Sequence, residues 1–295
     1  MALDIFIPYW GDVNYMKQAV DSVRDQTNGD WRLTVVDDAY PGDEVRRYVE
    51  ETGDPRIKYI RKSINQGITE NFRTCVSLAT EDVLVVMGCD DLLLPNFVDV
   101  VLRAHSAFPH AWIIQPGVQV IDEAGTPAAP LADKVKQRLV KPRGAGPRIL
   151  AGEPLAVSLL HGDWLYWPSL AFRRDRIRDY DFRDGFPVIQ DLALVMDMVL
   201  GGAELLIEPE TCFEYRRHIS SASSAKLVDG SRFVGERDYF DLAAQLCAAK
   251  GWHKAARAAR LRLTSRAHAL LFVPGVLRTN GSGPLGTLLR HAFGK

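Results

Sequence analysis

No GxGxxG turn follows the first strand-like run, and the chain has no GxxxxGK[ST] loop, no CxxC pair and no apolar run of the roughly 18 residues that a membrane-spanning helix needs. Each absence removes a class. IPYWGDVNYM, which follows the first strand-like run, holds one glycine, so a dinucleotide pyrophosphate has no Rossmann turn to approach. Without the second motif no phosphate is cradled by a P-loop. The four cysteines, Cys75, Cys89, Cys212 and Cys247, lie far apart, which excludes a zinc finger or disulfide framework and makes a reducing cytoplasm the simpler home. Acidic residues also run out. None follows Asp241, whereas Lys254, Arg257, Arg260, Arg262, Arg266, Arg278, Arg290 and Lys295 do, a basic tail hidden by a formal net charge of -1. Met1-Ala2-Leu3-Asp4 lacks a basic stretch followed by a long apolar core, which argues against a signal peptide.

What is present is ordinary globular material: 295 residues, 47% hydrophobic and 25% charged, enough for one large domain with a smaller appendage. LDIFIPY (3 to 9), WRLTVVDDA (31 to 39), RIKYIR (56 to 61) and VLVVMG (83 to 88) read as strands. Between them Met16, Ala19, Val20 and Val23, then Val45, Tyr48 and Val49, then Phe72, Val76 and Ala79 recur at helical spacing. This alternation predicts a mostly parallel α/β sheet flanked by helices, with ligands beyond the carboxyl ends of its strands. IIQPGVQVIDEAGTP reads as a hairpin or a strand with a turn, and KPRGAGPR (141 to 148) as a loop. A helix begins near Asp191. Beyond about residue 230 the chain turns helical, one helix marked by Phe240, Ala243, Ala244 and Cys247 and another over 253 to 273.

In VVMGCDDLLLP (85 to 95) an apolar run ends in two adjacent carboxylates, Asp90 and Asp91. They repel each other and require either water or a positive charge. With the glycine-rich phosphate loops excluded, a divalent cation that bridges diphosphate oxygens, Mg²⁺ or Mn²⁺, supplies that charge. The competing reading is a helix N-terminus favoured by the macrodipole.

IFIPYWGDVNYMKQAVDSVRDQTNGDWRLTVVDDAYPGDE, INQGITENFRTCVSLATEDVLVVMGCDDLLLP and YRRHISSAS resemble the family 2 inverting glycosyltransferases of GT-A fold. The family's ordered motifs appear as Pro8-Tyr9, Ser22 to Thr27, Asp37-Asp38, Asn65 to Asn71, Asp90 to Pro95, Gln190-Asp191 and Tyr215 to Ser223. The resemblance implies a catalytic domain over about 1 to 225, with a donor half (1 to 110) and an acceptor half (111 to 225), ahead of a basic helical extension (226 to 295). It implies donor contacts from Pro8, Tyr9, Asp38, Asn65, Gly67, Asn71 and Asp90, a metal held by Asp91, Asp90 and His218, and Asp191 as catalytic base. Two departures stand out: Gly88 replaces a further motif acid, and Gln190 replaces the first acid of the late pair.

Bland readings accompany each assignment. Asp38 equally suits a solvated turn, Asp191 a helix start and His218 a structural role, while Arg216 or Arg217 suits either a counter-charge to diphosphate or a solvated surface. Asp12 is left as a loop residue near the ribose. Trp164, Tyr166 and Trp167 suit an acceptor platform or a core; strand alternation would put the first two on one face and the third on the other. The tail from Trp252 suits either an anionic membrane, hence a lipid-linked acceptor, or a helix packed on the catalytic domain. No nucleic-acid motif accompanies its charge. The resulting expectation is a cytoplasmic enzyme, peripheral to the inner membrane face if the tail docks there, moving a sugar from a UDP-, dTDP- or GDP-linked donor to a hydroxyl. A noncatalytic sugar-nucleotide binder and a nucleotidyltransferase are the alternatives.

Overall fold

The computed structural model describes residues 1–128, 141–142, 144–186, 188–218, 231–267, 269–270 and 282–293. Nine strands form one sheet: β1 (Leu3–Tyr9), β2 (Trp31–Asp37), β3 (Ile57–Arg61), β4 (Val83–Val86), β5 (Leu92–Leu93), β6 (Ile113–Ile121), β7 (Arg148–Ala151), β8 (Ala171–Arg173) and β9 (Glu204–Arg216). Their order is β3-β2-β1-β4-β8-β6-β9-β5, with β7 also on β9. β1 runs parallel to β2 and β4, β2 to β3, and β6 to β9, while β8, β5 and β7 run against their neighbours. The expected mostly parallel sheet is therefore present. All seven residues of β1 are buried, the continuous apolar run required of a strand covered on both faces.

The pleat divides the core. Phe6, Val36, Leu84 and Val86 face one apolar layer; Leu3, Ile5, Ile7, Leu33, Val35, Val83 and Val85 face the other. The helices are α1 (Val13–Arg24), α2 (Glu44–Thr52), α3 (Ile68–Leu78), α4 (Phe97–Ala107), α5 (Gly152–His161), α6 (Arg174–Ile177), α7 (Gln190–Leu200), α8 (Ser231–Ala249), α9 (His253–Leu261) and α10 (Ser282–Phe293). α1 and α4 bury their apolar residues in the second layer; α3, α5, α7, α8 and α9 contribute to the first.

Asp12 is the N-cap of α1, its carboxylate accepting the N–H groups of Asn14 (2.7 Å) and Tyr15 (3.1 Å). At the other end of α1 the Ser22–Thr27 motif finds a physical reason. Gln26 donates to the carbonyls of Ser22 (3.0 Å) and Leu94 (2.7 Å) and accepts from Val98 N–H (3.0 Å). Ser22 Oγ accepts Leu93 N–H (3.1 Å), and Thr27 donates to Pro95 O (2.8 Å). The motif thus clamps the segment directly after Asp90 and Asp91.

Two sequence expectations change. The helix expected over 253 to 273 breaks after Leu261, where Arg262 adopts φ 47°, and helical residues resume at 263. The extension also shares the first apolar layer with α5 and α7 through Tyr239, Phe240, Ala243, Ala244, Cys247 and Ala255, so it has no core of its own. Ser221 and Ser223 of the late motif lie outside the described residues, as do Arg278 and Lys295 of the tail.

Candidate functional site

The carboxyl ends of β1, β2 and β4 converge. Gly11, after β1, lies so close to the segment after β4 that a Cβ there would stand 3.0 Å from Cys89 Sγ. Pro8, for which an N–H is impossible, sits past Phe6, the last β1 residue paired with β4, so no ladder bond is lost on that side. Tyr9 is buried with its ring 4.9 Å from Tyr40, and burial pushes its phenol far above the usual range. Trp10, not singled out by the motif, is 51% exposed and packs edge-on to Tyr40 at 5.6 Å.

β2 delivers two carboxylates with different work. Asp37 is fully buried, accepts Tyr40 N–H (2.7 Å) and the Tyr59 hydroxyl, and faces Arg61 Nε at 3.6 Å. Asp38 is not a solvated turn residue: it is buried, accepts Gly67 N–H (2.7 Å) and Gln66 N–H (3.1 Å), and lies 3.3 Å from Lys62 Nζ. Asn65 Oδ1 also accepts Gly67 N–H (3.1 Å). Gly67 itself has φ 86°, a left-handed value that favours glycine. Buried Asn71 donates to Val36 O (2.8 Å), locking α3 to β2. The N-x-G motif and Asp38 thus hold one another. Ala39, next in line, carries φ 61°, an uncommon conformation for a residue with a Cβ.

The pair after β4 is held from the far strand. Asp91 is 1% exposed; Oδ1 accepts Arg216 N–H (2.9 Å), and Oδ2 has no hydrogen-bond partner among the described residues. Burial, and then the charge of Asp90, raise its carboxyl well above the ordinary range. Half-buried Asp90 places Oδ2 2.8 Å from His218 Nε2. Arg216, for which the sequence left a counter-charge to diphosphate and a solvated surface residue as alternatives, is buried at the end of β9. It donates to Asp90 O (2.7 Å), Glu123 O (3.1 Å) and Gln18 Oε1 (2.9 Å), with its guanidinium 4.6 Å from the Tyr15 ring centre. Arg217 lies over the Tyr215 ring at 5.0 Å. His218 packs on Tyr15 at 5.1 Å, with Nδ1 3.9 Å from Glu123 Oε1.

Gly88 is explained by the same geometry. A Cβ there would stand 2.5 Å from Asp91 Oδ2 and 2.8 Å from Asp90 Oδ1, so a side chain is incompatible with these carboxylate positions. Among the described residues no three His, Cys, Asp or Glu side chains form a ready-made metal cage. The donor chemistry nevertheless suits Mg²⁺ or Mn²⁺: a buried carboxylate oxygen unpartnered among the described residues, a second carboxylate and an imidazole.

Asp191 lies in the first turn of α7 and accepts Leu192 N–H through Oδ1 (2.8 Å). With Asp163, Leu165, Trp167, Leu170, Leu192 and Val195 it lines a narrow cleft that has no room for a water molecule. Gln190, in place of the missing acid, bonds Thr69 in the first turn of α3, which ties the Asp191 helix to the N-x-G segment. The aromatic platform is smaller than expected. Trp164 is fully buried with its indole N–H on Ser158 Oγ (3.0 Å), and Tyr166 is buried with its ring 5.2 Å from Tyr215. Only Trp167 borders the cleft, packed on Phe72, Phe172 and Phe182. The segment is irregular and ends in a 3-10 turn (Trp167–Ser169), so strand alternation does not apply. Asp163 is a cleft residue the motifs did not mark.

A mostly parallel sheet of this order, with carboxylates, an imidazole and a buried arginine gathered at its carboxyl edge, is a GT-A fold. The crystal structure of S. aureus TarS 1–349 with UDP-GlcNAc superposes with a TM-score of 0.68 at 14% identity over 99% of this chain and 82% of that one. The mannosyltransferase PcManGT from Pyrobaculum calidifontis, solved with GDP-Man and Mn²⁺, gives 0.58 at 14% identity over 98% and 85%.

Residues 4–145 match the sequence model of Glycosyl transferase family 2. Escherichia coli K12 WcaA, a glycosyl transferase named for colanic acid biosynthesis, is 30% identical over 101 residues, 34% of this chain and 36% of that protein. EpsE of Bacillus subtilis 168, named as a glycosyltransferase, is 25% identical over 132 residues, 44% and 47%. The matched spans thus cover less than half of these two relatives' length.

Proposed function

We propose that this glycosyltransferase moves a sugar from a nucleoside diphosphate donor, UDP-, dTDP- or GDP-linked, to a hydroxyl of a polysaccharide, glycolipid or metabolite, with inversion. The observation that carries the reading is Asp91 Oδ2, a buried carboxylate oxygen without a hydrogen bond, on the sheet edge where GT-A ligands lie. Asp91, Asp90 and His218 would hold Mg²⁺ or Mn²⁺, which when bound neutralises charge on the departing diphosphate.

The protein's own groups do the rest. Arg216 fixes the Asp90–Asp91 turn by its backbone N–H and its guanidinium, so the carboxylates need not reorganise when the donor arrives. Tyr9, Trp10 and Tyr40 form an aromatic wall beside the Asp38 and Asn65–Gly67 lock, a suitable seat for a planar base. Asp191 accepts the proton of the acceptor hydroxyl as its oxygen attacks the anomeric carbon and the bond to the diphosphate oxygen breaks. No covalent sugar–enzyme bond is needed, so one carboxylate is sufficient. Trp167 offers an apolar ring to the acceptor. Unpaired cysteines and the nucleotide-sugar donor suit the cytoplasm.

The test is Asp191→Asn. Transfer should fall by about 10²–10⁴-fold while donor affinity stays within a factor of two or three. Unchanged transfer removes Asp191 as base, and release of pyrophosphate in place of a nucleoside diphosphate makes the protein a nucleotidyltransferase.

A further inference from the structure

The last helices carry a face that sugar transfer leaves unexplained. α9 buries Ala255, Ala256, Ala258 and Ala259 and exposes Lys254, Arg257, Arg260 and Leu261. Beyond the break at Arg262, helical residues 263–267 and 269–270 turn Ala269 inward and leave Leu263, Ala267 and Leu270 exposed, at spacing i, i+4 and i+7. α10 repeats the pattern: Leu288, His291 and Ala292 are buried, while Gly286, Leu289 and Phe293 face outward at i, i+3 and i+7. The stripes belong to neighbouring helices, since Ser265 Oγ lies 2.8 Å from His291 Nε2 and donates to Glu236 on α8 (2.7 Å).

An amphipathic helix of a globular protein ordinarily turns its large apolar residues inward. Here the inward positions are mostly alanine, and leucine and phenylalanine are left outside: Phe293 is 70% exposed, Leu263 55%, Leu261 and Leu270 40%, and Leu289 39%. Five of the twelve large apolar side chains exposed among the described residues lie beyond residue 260. Scattered exposure would need no explanation; stripes on adjoining helices do.

Charge selects the occupant. A two-fold contact with a second copy would bring the same patch together from both sides, and with it Lys254, Arg257 and Arg260 of each chain. No acidic residue follows Asp241 to neutralise them. A bilayer bearing anionic headgroups meets both features, because leucine and phenylalanine enter the headgroup–acyl boundary while the cations meet lipid phosphates.

We propose that the outward face of α9, residues 263–270 and α10 docks this protein on an anionic bilayer surface. The claim stands whether or not the sugar-transfer reading holds.

Co-sedimentation of the full chain with vesicles tests it. Vesicles of phosphatidylcholine mixed with phosphatidylglycerol should retain the protein about tenfold better than pure phosphatidylcholine, and added salt should weaken the retention. Arg257→Glu with Arg260→Glu should remove the preference for the anionic vesicles. Leu263→Ser with Phe293→Ser should lower retention about tenfold even at low salt. All four positions are exposed, so melting temperatures should match the parent chain. Equal retention on both vesicle types, or retention indifferent to both double variants, overturns the proposal. So does self-association that Phe293→Ser abolishes in a chain that binds no vesicles.

Discussion

At Asp91 one carboxylate oxygen accepts a backbone N–H and the other has no hydrogen-bond partner among the described residues, in a residue 1% exposed. The folded state therefore favours the protonated form, and the sign of the pH effect follows. A carboxyl raised above its ordinary value of 3.8 weakens the fold as pH rises from that value through the raised one, and the penalty persists above it. Asp91→Asn should accordingly stabilise the cation-free protein by about 1–3 kcal/mol at pH 7–8, with the gain vanishing near pH 4. Calorimetric melting across that range checks the prediction; a variant less stable than the parent at pH 8 refutes it. The same residue shows where sequence stops. VVMGCDD revealed that two carboxylates need a positive partner, and the family resemblance put His218 beside them, but neither showed that β9 delivers Arg216 to Asp91 from 125 residues away. Gly88 read as a lost ligand; geometrically it is the space that Asp90 and Asp91 occupy.

Among the elements, α1 does more than cover the sheet. Its last turn carries Gln26, whose buried amide joins Ser22, Leu94 and Val98 and so fixes the chain that leaves the carboxylate pair. Gln26→Ala takes the partner from the buried Val98 N–H and from the Ser22 C=O, Leu94 O keeping Phe97 N–H (3.0 Å), and should destabilise the protein by about 2–4 kcal/mol. Donor affinity should fall too, although Gln26 touches no donor group; chemical denaturation and titration with nucleotide measure the two effects. An unchanged midpoint would show that the clamp is dispensable. β1 to β4 and the helices between them were legible because each strand is a short apolar run and each helix has one apolar stripe. α4 and α5 were not. α4 buries residues around most of its circumference, and α5 is apolar over most of its length, so neither shows a clean period. Trp164 and Tyr166 were given strand alternation in a segment that is not a strand, and the core took both rings.

For the whole molecule, the sheet places its chemistry along one edge, and hydrogen bonds connect the parts. Asp38 holds Gly67, Gly67 opens α3, Thr69 of α3 bonds Gln190, and Asp191 follows. The groups proposed for donor and acceptor are thus joined through a chain of contacts that no local motif displays. The helical extension is part of this body, since α8 and α9 complete the apolar layer under α5 and α7. The ordered motifs made the fold and its ligand edge readable; the docking of the last helices depended on contacts between residues about 100 positions apart, such as Glu153 with Lys254 N–H (2.6 Å). The central claim is that Asp91 anchors a divalent cation and, through it, a nucleotide sugar. Thermal unfolding with UDP-, dTDP- and GDP-sugars, with and without Mn²⁺ or Mg²⁺, tests it most directly, because a ligand of the folded state alone raises the melting temperature. At least one donor should raise it only when the cation is present, and Asp91→Asn should abolish that shift; a shift that needs no cation and survives Asp91→Asn, or no shift with any donor, contradicts the account.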